Sequence, residues 1–173
     1  VEALKHGGIF CKAKVELLWV DSEELTEKNL DQKLYSADGI LVPGGFGNRG
    51  TEGMVLAAHY ARTHKIPYLG ICLGMQMAIV EFARYVLGYE DANSIELDPG
   101  TRHPMIALMP DQEQVEDLGG TLRLGSYPCV LEEGSRAYQL FGEKTIRERH
   151  RHRYEVNNTF RGELKENGLN IVG

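Results

Sequence analysis

The sequence predicts an α/β fold in which a mostly parallel sheet carries helices on both faces. Two observations support this. Short apolar segments alternate with helical patterns through the first half of the chain, and two glycine-rich turns each follow an apolar segment. Strands that alternate with helices pair in parallel through right-handed crossovers, and ligands of such sheets collect at the carboxyl ends of the strands. Both glycine-rich turns are expected at those ends and are the candidate functional segments.

Hydrophobic periodicity and helix caps predict the elements of this half. The first helix is expected to stop at Gly7-Gly8, and Asp21-Ser22 offers an N-cap before a polar stretch. Thr51 is the expected cap of the helix that follows the first glycine-rich loop. In order, the predictions are a helix end over residues 1–5, strands over 11–20 and 36–43, a helix over 51–64, a buried strand over 66–71 and a helix over 75–87.

From about residue 97 proline, glycine and acidic residues interrupt the periodicity. Shorter strand-like segments at 120–124, 127–131 and 145–156 predict a smaller, mostly β layer appended to the main sheet. No linker or repeat divides the chain, so residues 1–173 are expected to form a single domain. The fold needs a strand before the first helix and further segments after the last residues, so truncation at both ends is expected.

The composition disfavours several classes of protein. A net charge of −6 argues against a dedicated nucleic-acid-binding protein. Cys11, Cys72 and Cys129 are odd in number and widely spaced, so neither a disulfide framework nor a zinc site is expected. For Cys11 and Cys129, packing is the favoured role. No secretory signal opens the chain, and no apolar segment approaches the roughly 18 residues of a membrane span, which favours the cytoplasm.

The segment Gly70-Ile71-Cys72-Leu73-Gly74 lies between a predicted strand and a predicted helix. A nucleophile presented on such a tight turn needs small residues two positions away on either side. The free amides and the dipole of a helix N-terminus stabilise a thiolate, the reactive form of cysteine. Cys72 is therefore the candidate nucleophile, with the amide of Leu73 directed at an oxyanion. The alternative is a cysteine that only packs near a turn.

The other glycine-rich segment, Pro43-Gly44-Gly45-Phe46-Gly47, follows a predicted strand. Backbone amides that approach a ligand closely fit either a phosphate cradle or an oxyanion hole. The phosphate cradle is disfavoured because the loop lacks the Gly-Lys-Ser/Thr ending of a P-loop and the full G-x-G-x-x-G spacing. An oxyanion hole beside the Cys72 turn is favoured, with a plain turn as the alternative.

A basic segment occupies residues 147–154. In a strand, alternation would place Arg147, Arg149, Arg151 and Arg153 on one face. The simplest interpretation is a solvated edge strand, and the functional one is an arginine that forks onto a carboxylate. A nucleic-acid-binding patch is disfavoured because the chain is acidic overall.

Together these motifs resemble the class I glutamine amidotransferases and, among them, the glutaminase domain of CTP synthases. Met75 and the arginine-histidine segment favour the CTP synthases within the class. The resemblance covers nearly the whole chain and implies the flavodoxin-like fold of that class. The matching segments are LVPGGFGNRGTEG (41–53), GICLGMQ (70–76), TLRLG (121–125) and RHRHRYEVNN (149–158).

The resemblance implies that Cys72 attacks the side-chain amide of L-glutamine, releases ammonia and leaves a glutamyl thioester that water hydrolyses. Glutamine is a zwitterion, so its pocket needs a carboxylate and a guanidinium. The resemblance places Glu96 and Arg153 in these roles. It implies oxyanion contacts from Gly45 and Leu73, and glutamine contacts from these two and from Gly74, Met75 and Gln76.

The resemblance implies no cofactor or metal for this domain. ATP and Mg²⁺ belong to an absent synthase (amidoligase) domain, which would use the ammonia to convert UTP to CTP. The full-length family forms homo-tetramers, and neither nucleic acid nor membrane is an expected partner.

One feature departs from the family, which activates its cysteine with a histidine in a late His-Pro-Glu motif. None of the six histidines here precedes Pro-Glu. The base and its orienting glutamate are therefore expected to be lost with the tail, leaving a thiol that reacts but turns over poorly. The alternatives are another class I amidotransferase, a different cysteine hydrolase, and a catalytically inactive glutamine-binding regulatory module.

Overall fold

A computed structural model of the chain describes residues 1–108 and 124–173. None of the helices in these two ranges is long and apolar enough to cross a membrane. The helices are α1 Glu2–Phe10, α2 Leu30–Leu34, α3 Thr51–His64, α4 Leu73–Tyr85, α5 Arg136–Phe141 and α6 Arg161–Glu166, with 3-10 turns at Ser22–Glu24 and Asn158–Phe160. The strands are β1 Ile40–Val42, β2 Tyr68–Gly70, β3 Asn93–Ser94, β4 Pro104–Leu108, β5 Leu124–Val130, β6 Thr145–Arg151 and β7 Tyr154–Val156.

The strands pair in three groups. β1 and β2 are parallel, with Val42 opposite Gly70, so the two glycine-rich turns leave the sheet side by side. β4 lies between β3, to which it is parallel, and β7, to which it is antiparallel. β5 and β6 form an antiparallel pair of their own, with α5 in the segment that connects them. The predicted α/β architecture and its appended β layer are both confirmed.

Helix α4 lies at the centre of the core. Its residues Val80 and Ala83 are fully buried and pack in one cluster with Ile106 of β4 and Leu164 of α6. A second cluster joins α2 and α3 to β1, and Met54 of α3 packs against both clusters. The turn after β2 leads into α4, whose first residue Leu73 belongs to the first cluster, and Val42 at the end of β1 belongs to the second. Apolar burial therefore anchors the residues next to both turns.

Two predictions for the N-terminal segment are wrong. Helix α1 does not stop at Gly7-Gly8 but continues to Phe10, and Gly8 is buried. A Cβ on Gly8 would lie 2.6 Å from Cγ2 of Val15, so this glycine permits a close approach instead of ending a helix. Residues 11–20 form no strand, because an extended segment becomes one only through a ladder of hydrogen bonds, and no described strand pairs with it.

Three other elements are confirmed with shifted ends, namely the strands predicted over 36–43 and 66–71 and the helix over 75–87. The helix predicted over 51–64 is confirmed with both ends as predicted. The second strand is not buried as predicted, since Leu69 is 55% exposed. The side chain of Asp21 accepts a hydrogen bond from the amide of Glu23 at 3.0 Å and is a cap, as predicted. Thr51 is not one. Gly50 occupies the N-cap position of α3 in the left-handed conformation, and Thr51 is the first helical residue.

The strand predicted over 145–156 is in fact two strands in different sheets. β6 pairs with β5, whereas β7 pairs with β4, and the chain bends at residues 152–153. Arg153 therefore lies beyond the strand that holds Arg147, Arg149 and Arg151, and the prediction that all four share one face is wrong. The segment predicted over 120–124 lies outside the described residues apart from Leu124, where β5 begins.

Candidate active site

Cys72 occupies a strained turn between β2 and α4. Its backbone has φ 55° and ψ −112°, and it is the N-cap residue of α4. Positive φ in a non-glycine residue costs on the order of 1–3 kcal/mol and persists only where the surrounding structure enforces it. The side chain is half-buried. Since α4 begins at Leu73, the amide of Leu73 has no acceptor within the helix and is open to a ligand beside the sulfur.

The flanking glycines enforce this turn by steric exclusion. A Cβ on Gly70 would lie 2.6 Å from the carbonyl oxygen of Gly74, and one on Gly74 would lie 2.1 Å from the carbonyl oxygen of Val42. The carbonyl of Gly74 also accepts a 2.8 Å hydrogen bond from the hydroxyl of Tyr68. Burial raises the pKa of that phenol well above its ordinary value, so it remains a donor. The steric reason predicted for glycine at both positions is thus present in the structure.

The loop after β1 lies directly against Cys72. A Cβ on Gly44 would be 3.1 Å from Cβ and 3.7 Å from Sγ of Cys72. Gly45, the predicted oxyanion residue, is one step farther along, and a Cβ there would be 3.4 Å from Cδ2 of Leu73. The loop is held in place because the amide of Ile71 donates to the carbonyl of Val42 at 2.9 Å, just beyond the paired strands.

Glu96 lies close enough to Arg153 for the charge of the arginine to act on its carboxyl group. Glu96 is exposed as a residue, but partial desolvation of its carboxyl group raises its pKa, whereas the positive charges of Arg153 and His152 act in the opposite direction. Nε of Arg153 is buried and has no hydrogen-bond partner within the described ranges. A buried donor without an acceptor costs free energy, so this atom is suited to an anionic ligand.

Gln76 joins the Cys72 turn to the segment that carries Arg153. Its side chain is buried, and Nε2 donates to the carbonyl of Tyr154 at 3.0 Å. Its backbone amide donates to the carbonyl of Cys72 at 3.1 Å. One residue in the first turn of α4 is therefore bonded to the residue after Arg153 and to the candidate nucleophile.

Met75 faces a different part of the molecule. It packs against the core cluster around α4 and lines a cleft of about 620 Å³ together with Tyr68, Ile79 and Ile171. Cys72, Glu96 and Arg153 are not among the residues that line this cleft. The backbone of Met75 lies in the first turn of α4, directly after the Cys72 turn.

For five of the six histidines, the described ring contacts are with groups other than Cys72. A residue that activates a thiol has to lie within hydrogen-bond reach of it. The ring nitrogens instead lie near other acceptors, His59 at Glu81, His64 at Tyr60, His103 at Asp91, His150 at Glu148 and His152 at Tyr154.

The family model for "Glutamine amidotransferase class-I" matches residues 1–173, the whole chain. The chain belongs to the class I glutamine amidotransferase family. Among solved structures, this amidotransferase chain is similar to the glutaminase domain of Trypanosoma brucei CTPS with bound acivicin, at a TM-score of 0.88 and 38% identity over 96% of this chain and 64% of that one. The class I amidotransferase fold implied by the sequence motifs is therefore confirmed.

Curated relatives of this amidotransferase carry the name CTP synthase. Those of Clostridium beijerinckii, Moorella thermoacetica and Bacillus subtilis are 55%, 56% and 53% identical over all 173 residues. The matched segment is 32% of each relative, so the chain spans about a third of their length. The resemblance to the CTP synthase branch of the amidotransferases is thus confirmed.

Sequence reasoning missed three neighbours of the candidate site. For Gly44, the sequence predicted that a loop glycine could approach the sulfur, but not which of the three it would be. Tyr68 and His152 carried no signal, because their contacts depend on how distant segments pack. The segment TLRLG (121–125) lies outside the described residues except for Leu124 and Gly125.

Proposed function

We propose that this chain is the part of a longer enzyme that hydrolyses L-glutamine through Cys72 and supplies ammonia to a synthase domain that aminates UTP to CTP. The observation that carries the proposal is the strained turn, which holds the half-buried sulfur beside the Gly44-Gly45 loop and the first amide of α4. The curated CTP synthases at 53–56% identity support the same substrate. Because the chain spans about a third of their length, the amination of UTP is proposed for the longer protein.

The proposed reaction begins with attack of the Cys72 thiolate on the side-chain amide carbon of glutamine. The carbonyl oxygen becomes an oxyanion, which accepts hydrogen bonds from the amides of Leu73 and Gly45. The C–N bond then breaks, the nitrogen takes up a proton and leaves as ammonia, and a glutamyl thioester remains. Water adds to the thioester, the C–S bond breaks, and glutamate and the free thiol are released.

Specificity for glutamine is proposed to come from Arg153 and Glu96. The unpaired Nε of Arg153 fits the α-carboxylate of the substrate, because a guanidinium binds a carboxylate in a fixed fork. The carboxylate of Glu96, beside it, fits the α-ammonium group. The remaining proposed contacts, Gly74, Met75 and Gln76, lie in the first turn of α4.

The partners are proposed from the same relatives. Residues 1–173 would act as one amidotransferase domain that pairs with an amidoligase domain, in a cytoplasmic homo-tetramer. ATP and Mg²⁺ would bind in the amidoligase domain, where they activate UTP. No cofactor or metal is assigned to the glutaminase reaction, and L-glutamine is its only proposed small-molecule substrate.

Covalent labelling tests the function directly. Acivicin, a glutamine-analogue electrophile, is expected to add one equivalent to the 173-residue chain at Cys72, as located by peptide mass spectrometry. The variants Cys11→Ser and Cys129→Ser should be labelled at the wild-type rate, whereas Cys72→Ser should not be labelled. L-glutamine should slow the labelling, and L-asparagine at equal concentration should not, because its side chain is one methylene shorter.

Two outcomes would count against this assignment. Labelling at Cys11 or Cys129 at a comparable rate would indicate general thiol reactivity. Equal protection by L-glutamine and L-asparagine would show that the site does not select for glutamine.

Steady glutamine hydrolysis by these 173 residues is expected near background, since no histidine precedes Pro-Glu. Fast turnover would leave the function intact and would show that another group serves as the base.

A further inference from the structure

The bend between β6 and β7 brings together two imidazoles and a carboxylate that the glutaminase chemistry does not use. One ligand atom from each of His150, His152 and Glu155 lies within 4.8 Å of the other two. The side chains of His152 and Glu155 are only 16% and 18% exposed, so these are not freely moving surface groups. Two histidines and one carboxylate are a common ligand set for zinc and related divalent ions.

The spacing of these groups suits a metal ion. Nδ1 of His152 lies 3.2 Å from Oε1 of Glu155. Two ligands of a tetrahedral zinc ion, each bound at about 2.1 Å, are roughly 3.4 Å apart. Nδ1 also lies 3.0 Å from the carbonyl oxygen of Tyr154, so it carries the proton of the neutral ring and donates toward both oxygens. A metal ion bound between Nδ1 and Oε1 would displace that proton to Nε2 and replace these hydrogen bonds.

His150 completes the set from the end of β6. Its ring centroid lies 5.4 Å from that of His152, and its Nδ1 lies 3.3 Å from the carbonyl oxygen of Glu148. A carbonyl can only accept, so Nδ1 carries the proton of the neutral ring and Nε2 keeps a lone pair for a metal. The ring also packs edge-on against Tyr127, at a centroid distance of 5.4 Å, which limits its rotation.

We propose that His150, His152 and Glu155 form a binding site for a divalent transition-metal ion of the zinc class. The three ligands come from β6, from the bend and from β7, so an ion there would tie the two sheets together. Arg153 lies within the same bend. The ion would therefore order the segment that carries Arg153, whether or not that arginine binds glutamine.

Metal titration of the metal-free 173-residue chain tests this site. Isothermal titration with Zn²⁺ should show one equivalent bound, and Co²⁺ should give visible d–d bands without the near-ultraviolet absorption of a thiolate complex. The variants His152→Gln and Glu155→Gln are expected to weaken Zn²⁺ binding at least about tenfold. His6→Gln, which removes an exposed histidine of α1, and Cys72→Ser should bind like the wild type.

A second variant and a second readout protect the test against misfolding. His150→Gln removes a ligand in β6 and leaves the buried core unchanged. It should also weaken Zn²⁺ binding at least about tenfold. Hydrogen exchange of residues 150–156 should slow when Zn²⁺ binds the wild type, and should not change with Zn²⁺ in His150→Gln. The proposal is overturned if Co²⁺ shows thiolate absorption that Cys72→Ser abolishes, or if His6→Gln weakens binding as much as His152→Gln.

Discussion

The turn around Cys72 and the polar group formed by Glu96, His152 and Arg153 are built by different means. The turn is a product of backbone packing within a few residues, where the flanking glycines leave no room for another side chain. The polar group depends on a hydrogen bond between Gln76 and Tyr154, which are 78 positions apart in the chain. One region is determined by local sterics, and the other by the way distant elements pack.

The two regions also differ in how completely their own interactions are satisfied. The carbonyls of Cys72 and Gly74 both accept hydrogen bonds, and the buried residues Leu73 and Gly74 hold the strained backbone of Cys72 in place. In the polar group, Nε of Arg153 has no partner within the described ranges. The turn therefore needs no ligand to satisfy its hydrogen bonds. In the polar group, Nε of Arg153 gains a partner only when an anion binds.

The largest effect on the free energy of unfolding is expected from Gly74→Ala, which disrupts the turn around Cys72. The new methyl group would lie 2.1 Å from the carbonyl oxygen and 2.8 Å from the carbonyl carbon of Val42, so the backbone of β1 leaves it no space. We expect a loss of about 4 kcal/mol in the free energy of unfolding, measured by urea denaturation with circular dichroism. Acivicin labelling should disappear as well, because the turn cannot form.

Gly162→Ala is the matched control for this variant. Gly162 lies in α6, where the added methyl group would have no neighbouring atom within 4 Å, and alanine favours helix over glycine. A gain of about 0.5 kcal/mol in the free energy of unfolding is expected. If both variants lost the same amount of free energy of unfolding, the loss in Gly74→Ala could not be assigned to contact with Val42.

This contrast also explains how much of the molecule could be predicted from the sequence. Cys72 and its flanking glycines were predictable because a tight turn imposes its spacing on adjacent positions. Arg153 could not be placed by pattern, since strand alternation assigned it to the face of Arg151 and the bend at 152–153 was not visible. Only the family resemblance singled out Glu96, which lies in a polar loop without periodicity.

The failures in the N-terminal segment have a related cause. The same residue type ends a helix in one setting and permits close packing in another, and Gly8 does the latter because Val15 approaches it. Residues 11–20 have the alternation of a strand, but alternation cannot reveal whether a partner strand is present. Local pattern therefore predicted the type of most elements and missed what depends on their neighbours.

The second prediction concerns Arg153→Met, which removes the arginine from the polar group. Removing the guanidinium should raise the free energy of unfolding of the ligand-free chain by about 1 kcal/mol, because its Nε, a buried donor without an acceptor in the described ranges, is lost. The same change should slow acivicin labelling roughly 30-fold, the equivalent of about 2 kcal/mol for a charged hydrogen bond. Urea denaturation and timed mass spectrometry measure the two effects.

Arg151→Met serves as the control, since Arg151 is exposed at the end of β6 and carries the same charge. It should change neither the labelling rate nor the free energy of unfolding by a comparable amount. If Arg153→Met destabilised the free chain and left labelling unchanged, the arginine would be a structural residue and the carboxylate would bind elsewhere.

The smallest effect on the free energy of unfolding at neutral pH is expected from Asp91→Asn. This substitution loosens the segment that leads to Glu96 in the polar group. The carboxylate of Asp91 accepts hydrogen bonds from the ring of His103 at 2.6 Å and from the amide of Arg102 at 3.0 Å. The bond from His103, followed by those from Arg102, holds the pKa of Asp91 well below its ordinary value of 3.8.

A carboxyl group whose pKa is lower in the folded chain than in the unfolded chain stabilises the fold above the unfolded value. That contribution disappears as the pH falls below about 3.8 toward the lower folded value. Urea denaturation between pH 5 and pH 2 should therefore show the wild type losing its advantage over Asp91→Asn, with the two curves converging in acid. Glu90→Gln, a change at the exposed neighbouring residue, should follow the wild type throughout. Curves for wild type and Asp91→Asn that stay parallel down to pH 2 would show that the hydrogen bonds to Asp91 position the loop without favouring its charged form.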